Sequence, residues 1–388
     1  MAYKPNATRT GVYQFEHCNA NTALGSSPFS VRRYFMITQR PSRFRVHFRN
    51  YNFLGNSGST YNPINASGNL TGFISYIGNA AMDSVGDPTG AFTSTPVQIQ
   101  TSTTVTGGTE LITGWISPST FQILPYRKYI LSAGFVVGSG VEVSNGGGLQ
   151  WYSYTAADAG VTSPTIVRAD NQGFLDIYIE YEFADDLTPI IAVVGNSLCG
   201  GGNVAAVANR SELDAFHGQW ALANKGIVAS YAVGGSWCSQ FPATNTKWNH
   251  YDTLNGGTAA LDVDAVLFVG TSSSDVAGGT AVATAKTDLA ATVLKTQAMF
   301  PNARTILSTL PPRVASTAGT LENNRIAMNT WLSTSPIGAD QCMDLEPLLT
   351  DGASPARLHA LVNSGDNEHW GPRGHSRVSQ IVPVTRGA

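Results

Sequence analysis

Ile190-Ile191-Ala192-Val193-Val194-Gly195-Asn196-Ser197-Leu198-Cys199-Gly200-Gly201-Gly202 is the stretch that decides how the chain reads. Its five apolar, mostly β-branched residues have the pattern of a strand buried on both faces, and the glycines mark a turn before helical periodicity resumes near Ser211. Ser197 then stands at the carboxyl end of a central strand. In open α/β sheets that edge binds ligands, and a sharp strand-to-helix turn can project a hydroxyl into the crevice.

Working outward, the same alternation continues downstream. Residues 226–233, 264–269, 305–310 and 342–345 read as further strands. Residues 211–222 read as a helix burying Leu213, Phe216, Trp220 and Ala221, residues 280–300 as an Ala-rich helix stopped by Pro301, and residues 321–332 as another. The expectation for 187–388 is a parallel sheet flanked by helices in three layers. Upstream, residues 1–186 carry short alternating segments separated by Gly, Asn, Ser and Pro. Residues 43–49 and 97–100 alternate, residues 128–131 and 134–137 read as two short strands, and residues 173–183 are the clearest strand. Its Phe174, Asp176, Tyr178, Glu180 and Glu182 share one face, opposite Leu175, Ile177, Ile179, Tyr181 and Phe183. The expectation here is an all-β sandwich of jelly-roll type, an accessory or binding domain. Arg43, Arg45 and Arg49 read as a solvated or inter-domain face rather than a binding stripe. Tyr51, Phe53, Trp115, Trp151, Tyr152 and Tyr154 are mainly core candidates, with sugar stacking as the alternative.

Near the other end, Ser364-Gly365-Asp366-Asn367-Glu368-His369-Trp370-Gly371-Pro372 sets an Asp three residues before a His and then starts a helix. That spacing lets a carboxylate accept from one imidazole nitrogen while the other faces outward, the orienting role an Asp plays for a base.

Together the two stretches resemble the SGNH (GDSL-like) hydrolase family. Gly195-Asn196-Ser197 is similar to its Gly-Asp-Ser motif, with Asn in place of Asp, and Asp366 to His369 is similar to its Asp-x-x-His motif. The resemblance implies an SGNH-type serine esterase with Ser197 as nucleophile, His369 as general base and Asp366 as its partner. It implies that Ser197 and His369 meet in space, and that His375, on the last helix, faces away from the serine. For the second block it implies Gly235 as an oxyanion donor, although Ser230 stands where the family has Asn. In the third block, Gly270-Thr271-Ser272-Ser273-Ser274-Asp275, strand register puts Ser272 at the position of the family's Asn, whereas a two-residue insertion puts Ser274 there. The resemblance also brings Cys199 and Cys238 to one crevice rim, where a disulfide or two buried free thiols both fit. Cys18 and Cys342 have no partner that can be argued.

Composition narrows the partners. The chain has 388 residues, 42% hydrophobic and 13% charged, with a formal net charge of -3. It is long enough for two cores, and its charge gives no reason to expect nucleic acid. No run approaches a membrane span, and the amino terminus carries no signal-like apolar stretch. Forty glycines and few Lys or Glu suit an extracellular or particle-surface protein. A virion (phage) component would reconcile both observations, with a cytoplasmic setting left open and a homo-oligomer or virion assembly compatible. His217, His250, His359, His369 and His375 show no metal-ligand spacing with the cysteines, so no metal and no cofactor is expected. The implied activity is hydrolysis of acyl esters, as in a carbohydrate esterase removing acetate from a polysaccharide. The rival is a non-catalytic virion structural or receptor-binding protein with a decayed SGNH fold.

Overall fold

The computed structural model describes residues 8–15, 21–23, 28–52, 64–65, 68–137, 142–144, 150–168, 175–185, 187–199, 213–232, 236–241, 261–313, 319–353 and 356–385. The chain divides into two compact units, one of Met1–Leu54, Pro63–Asp186 and Asn209–Glu212, the other of Gly55–Asn62, Leu187–Ala208 and Leu213–Ala388.

In the first unit, Thr8–Gln14, Asp176–Ala184, Arg43–Arg49 and Glu110–Ile112 form a four-stranded antiparallel sheet in that spatial order. A larger antiparallel sheet runs Val167–Arg168, Gln150–Ser153, Pro28–Phe35, Tyr129–Val137, Leu70–Met82 and Pro88–Phe92, with Val97–Val105 also on Leu70–Met82. Rings from the two sheets meet in the core: Phe48 and Phe73 at 4.8 Å between centroids, Tyr13 and Phe35 at 5.7 Å. The two short strands expected over 128–131 and 134–137 are one continuous strand, Tyr129–Val137. The apparent break is a register shift between Gly134 and Val136. Gly134 is required there because a Cβ would lie 2.2 Å from the Ala156 carbonyl oxygen, a backbone approach only glycine permits.

The arginine face also differs from expectation. Antiparallel register sets Arg43, Arg45 and Arg49 opposite Glu182, Glu180 and Asp176. Arg45 Nε donates to Glu180 at 2.6 Å, His47 Nε2 lies 2.8 Å from the same carboxylate, and Arg49 donates to Asp176 at 3.0 Å. Glu180, Asp176 and His47 are fully buried, so Arg45 and Arg49 are paired inside the protein instead of solvated, while Arg43, 46% exposed, keeps the solvated face on its pair with Glu182. Trp115 lies under the Arg43 and Arg45 guanidinium groups.

In the second unit, five strands form an all-parallel sheet in the order Ile227–Ser230, Ile190–Val194, Ala265–Phe268, Arg304–Ser308, Gln341–Met343. The first strand in sequence is flanked by the second and third. Chain direction therefore reverses around Ile190–Val194, which opens a crevice at its carboxyl end. The strand is apolar throughout because both faces are covered: Ile191, Ala192, Val193 and Val194 are all 0% exposed. The helix expected over 211–222 runs Phe216–Asn224 and buries Phe216, Trp220 and Ala221. It starts late because its first free N–H, that of Phe216, is capped by His375 Nδ1 at 3.1 Å. Val282–Met299, Thr320–Leu332 and Pro372–Gln380 supply further helices, the last with Pro at its first turn.

The ladder of the first unit has a measurable consequence. Glu180→Ala is expected to cost about 3–5 kcal/mol, because it removes the carboxylate that pairs with the guanidinium of Arg45 and leaves His47 Nε2 buried without its partner, with only Glu110 remaining on Nδ1. Urea unfolding would read this, and a loss below about 1 kcal/mol would mean that the ladder is solvated after all.

Candidate active site

The Ile190–Val194 strand ends in a turn built by one side chain. Asn196 is 0% exposed; its Oδ1 accepts from Leu198 N at 3.0 Å and its carbonyl from Cys199 N at 3.0 Å. Its Nδ2 donates to Ser273 Oγ at 2.9 Å and Ser274 Oγ at 3.0 Å, and lies 3.4 Å from the Gly270 and Thr271 carbonyls. A carboxylate at this position would face those carbonyls with like partial charge, so Asn rather than Asp fits a hydroxyl-rich partner loop. Gly195 precedes it because a Cβ would sit 2.5 Å from Cys199 Sγ.

The turn presents Ser197, part-exposed, to the far end of the chain. Ser197 Oγ donates to His369 Nε2 at 2.8 Å, and His369 Nδ1 donates to Asp366 Oδ2 at 2.6 Å. Asp366 is fixed in turn: its Oδ1 accepts from Ser364 Oγ at 2.7 Å and from the Glu368 and His369 backbone N–H groups at 2.9 Å each. Burial raises the Asp366 carboxyl pKa, but the His369 backbone and ring and the Ser364 hydroxyl outweigh it and hold the group below the usual carboxylate range. The loop closes through left-handed residues, Gly365 at φ 105° and Asn367 at φ 58°. An ionised carboxylate thus sits on one imidazole nitrogen and a hydroxyl on the other, an arrangement able to move a proton off the serine.

Two other histidines support the turn. His217 donates from Nε2 to the Cys199 carbonyl at 2.8 Å, and burial pushes its pKa down to about 4, which keeps it a neutral donor. His375, 1% exposed, is engaged on the Phe216 N–H.

No protein-family model matches the chain, and no curated protein does. Several solved structures match at low identity. One is a family two carbohydrate esterase from Cellvibrio japonicus, 12% identical over 96% of this chain and 95% of that one, with TM-score 0.38. Another is a family two carbohydrate esterase from Clostridium thermocellum in complex with cellohexaose, 11% identical over 95% and 96%, with TM-score 0.38. A third is a GDSL-like lipase from Bacteroides thetaiotaomicron, 12% identical over 50% of this chain and 85% of that one, with TM-score 0.35. The matched structures are GDSL-type hydrolases and carbohydrate esterases.

Of the remaining residues singled out in the sequence, Gly235 and Cys18 lie outside the described residues. Ser272 is 1% exposed, and its hydroxyl is buried without a hydrogen-bond partner among the described residues. Ser274 is the part-exposed member of the third block and the one bonded to Asn196. The disulfide is not formed: Cys199 and Cys238 are both free and buried. Each thiol is engaged elsewhere, Cys199 Sγ with the Val269 carbonyl at 2.8 Å and Cys238 beside the Asp275 carboxylate. Burial pushes the Cys199 thiol up to about 12 and Cys238 well above the ordinary range, helped there by the Asp275 charge, so neither is a reactive thiolate. Among the described residues no group of three or more His, Cys, Asp or Glu could hold a metal ion, and no helix is long and apolar enough to cross a membrane.

Asp275 was not foreseen from sequence as a structural residue. Its carboxylate, 0% exposed, accepts the Cys238 backbone N–H at 3.0 and 3.2 Å and so holds the segment after Gly235. Burial raises its pKa from 3.8 to about 7 against the opposing Cys238 N–H bond. A folded-state value above the unfolded one means that this group's stabilising contribution is complete below about pH 4 and is lost as pH rises through about 7. Asp275→Asn keeps the acceptor and removes the titration. Denaturant midpoints followed from about pH 4 to about 8 should therefore show the wild type losing stability relative to the variant; parallel curves would exclude a raised Asp275.

Proposed function

We propose that the protein is a serine-dependent ester hydrolase, a carbohydrate esterase that removes acetyl or similar acyl groups from a polysaccharide. The observation that carries the reading is the continuous chain Ser197 Oγ to His369 Nε2 and His369 Nδ1 to Asp366 Oδ2, at 2.8 and 2.6 Å. It also disfavours a decayed, non-catalytic fold, since drift would have no reason to keep three side chains in mutual hydrogen-bonding register across 172 positions. The carbohydrate ester follows from the family resemblance of the motifs, as does the role of the amino-terminal β-unit as a jelly-roll accessory domain. The free thiols of Cys199 and Cys238 withdraw the disulfide argument for an oxidising, particle-surface setting.

In the reaction, His369 takes the Ser197 proton as Oγ attacks the ester carbonyl, and Asp366 stabilises the imidazolium that forms. The tetrahedral oxyanion is met by the Ser197 and Gly235 backbone N–H groups and by a third-block hydroxyl. Ser274 suits that role better than Ser272. Its oxygen accepts the Asn196 bond, which leaves its proton to donate, and it is part-exposed, whereas Ser272 is 1% exposed. The imidazolium then protonates the leaving alkoxide, and water, activated by the same base, hydrolyses the acyl-enzyme to free acid and Ser197.

The purified protein should hydrolyse a chromogenic acetate ester, and Ser197→Ala should lower kcat by several orders of magnitude, as loss of a triad member does elsewhere. Equal rates for the two proteins would end the enzyme reading. The rate should climb with pH through the histidine range because the base must be neutral to accept the proton, and a flat profile from about pH 5 to 8 would remove His369 from the role.

A further inference from the structure

We infer that Arg313 is a positioning residue of this site: one guanidinium ties the loop carrying Asp366 and His369 to the serine-rich third block, and its charge keeps the imidazole neutral. The inference rests on His369 being the base.

Arg313 follows Leu310-Pro311-Pro312 just past the carboxyl end of Arg304–Ser308, on the same sheet edge as Ser197. Its side chain is only 12% exposed. It forms an ion pair with Glu368, the residue before His369, and its Nη1 lies 3.4 Å from Ser274 Oγ. Ser274 Oγ also accepts from Asn196, whose backbone leads directly into Ser197. The contacts therefore close a circuit from the nucleophile turn through the third block and Arg313 back to the base. Proline restricts the backbone at two successive positions before Arg313, which narrows where the guanidinium can swing.

The charge count gives the second half of the argument. The charged groups that the contacts place at the His369 loop include Asp366 on the ring, Glu368 next to it in the chain, and Arg313, from the segment after the fourth strand, paired with Glu368. Ser197, which takes the outer ring nitrogen, is neutral, and His375 of the last helix is turned onto the Phe216 N–H. Two carboxylates both favour an imidazolium, which cannot act as a base. Arg313 offsets one of them. Burial pushes its own pKa down to about 10, opposed by the Asp366 charge, so it stays cationic near neutral pH. A guanidinium suits the place because its planar fork can reach a carboxylate and a hydroxyl at once, which a lysine ammonium does less well.

The experiment compares the full-length wild type with R313Q, R313K, E368Q and R313Q/E368Q. It reads kcat and KM against pH and, independently of turnover, the titration of the His369 imidazole by NMR. R313Q should lower kcat on the order of tenfold with KM little changed, since a base held loosely loses rate rather than binding. Its imidazole midpoint, and with it the acid limb of the rate profile, should move up on the order of half to one pH unit. R313K should keep the midpoint and lose part of the rate, E368Q should move the midpoint down, and R313Q/E368Q should return it toward the wild type. A midpoint unmoved in folded R313Q overturns the inference; should R313Q not fold, an unmoved midpoint in E368Q does so. An inactive wild type defeats the esterase reading instead, and the NMR midpoints still decide the charge balance.

Discussion

A wholly buried amide, that of Asn196, is the constraint from which the rest of the site follows. The carboxyl end of a doubly covered strand exposes backbone groups to an apolar interior, and an unsatisfied one there costs about 1–3 kcal/mol. Asn196 answers with both ends of its side chain: the oxygen folds the chain back at Leu198, and the nitrogen pins the Gly270–Ser274 loop. The same two bonds aim Ser197 outward and set the third block beside it. Neither Ser197 nor Ser274 would have a defined direction without that amide.

The parts of this site that could be read from sequence are those written locally. The apolar run before Gly195 and the Asp-x-x-His spacing each lie within about ten residues, and the strand end and the ring orientation follow from them. The bond from Asn196 to Ser273 spans 77 positions and is invisible to any window. That is why Asn196 and the run of serines look like two separate departures in sequence, when in the structure they meet: Asn196 Nδ2 donates to the Ser273 and Ser274 hydroxyls. Arg313 was illegible for the same reason, since nothing in Pro311-Pro312-Arg313 points to Glu368. The sequence leaves the cysteines open between a disulfide and two buried free thiols, and the structure has the free thiols: nearness of two strand ends says nothing about where a thiol points, and Cys199 Sγ is turned onto the Val269 carbonyl.

The β-unit follows the same division. Alternation along Arg43–Arg49 and Asp176–Ala184 showed which residues share a face, but not that the two strands are neighbours in register. Once they pair, each arginine meets a carboxylate, and the Arg45 and Arg49 part of a face that looks solvated is buried, with Arg43 left exposed at its end. Leu70–Met82, the thirteen-residue strand central to the larger sheet, escaped notice because Gly72, Gly78 and Asn79 break its pattern. Gly78 is there for packing: a Cβ would come within 2.6 Å of the Phe92 ring.

His217, His375 and His369 of the second unit show how similar residues take different work from their surroundings alone. His217 and His375 are as buried as any core residue, and each completes one backbone group, the Cys199 carbonyl and the Phe216 N–H. Both bonds use a neutral ring, and burial keeps the His217 ring neutral. His369 is placed between a carboxylate and a hydroxyl that can lose its proton, so its environment tolerates both protonation states. A base needs that tolerance, and a cap must lack it. The two buried histidines serve the proposed base through this contrast, because each completes a backbone group of the helix or turn near Ser197 and His369 without adding a charge beside the ring.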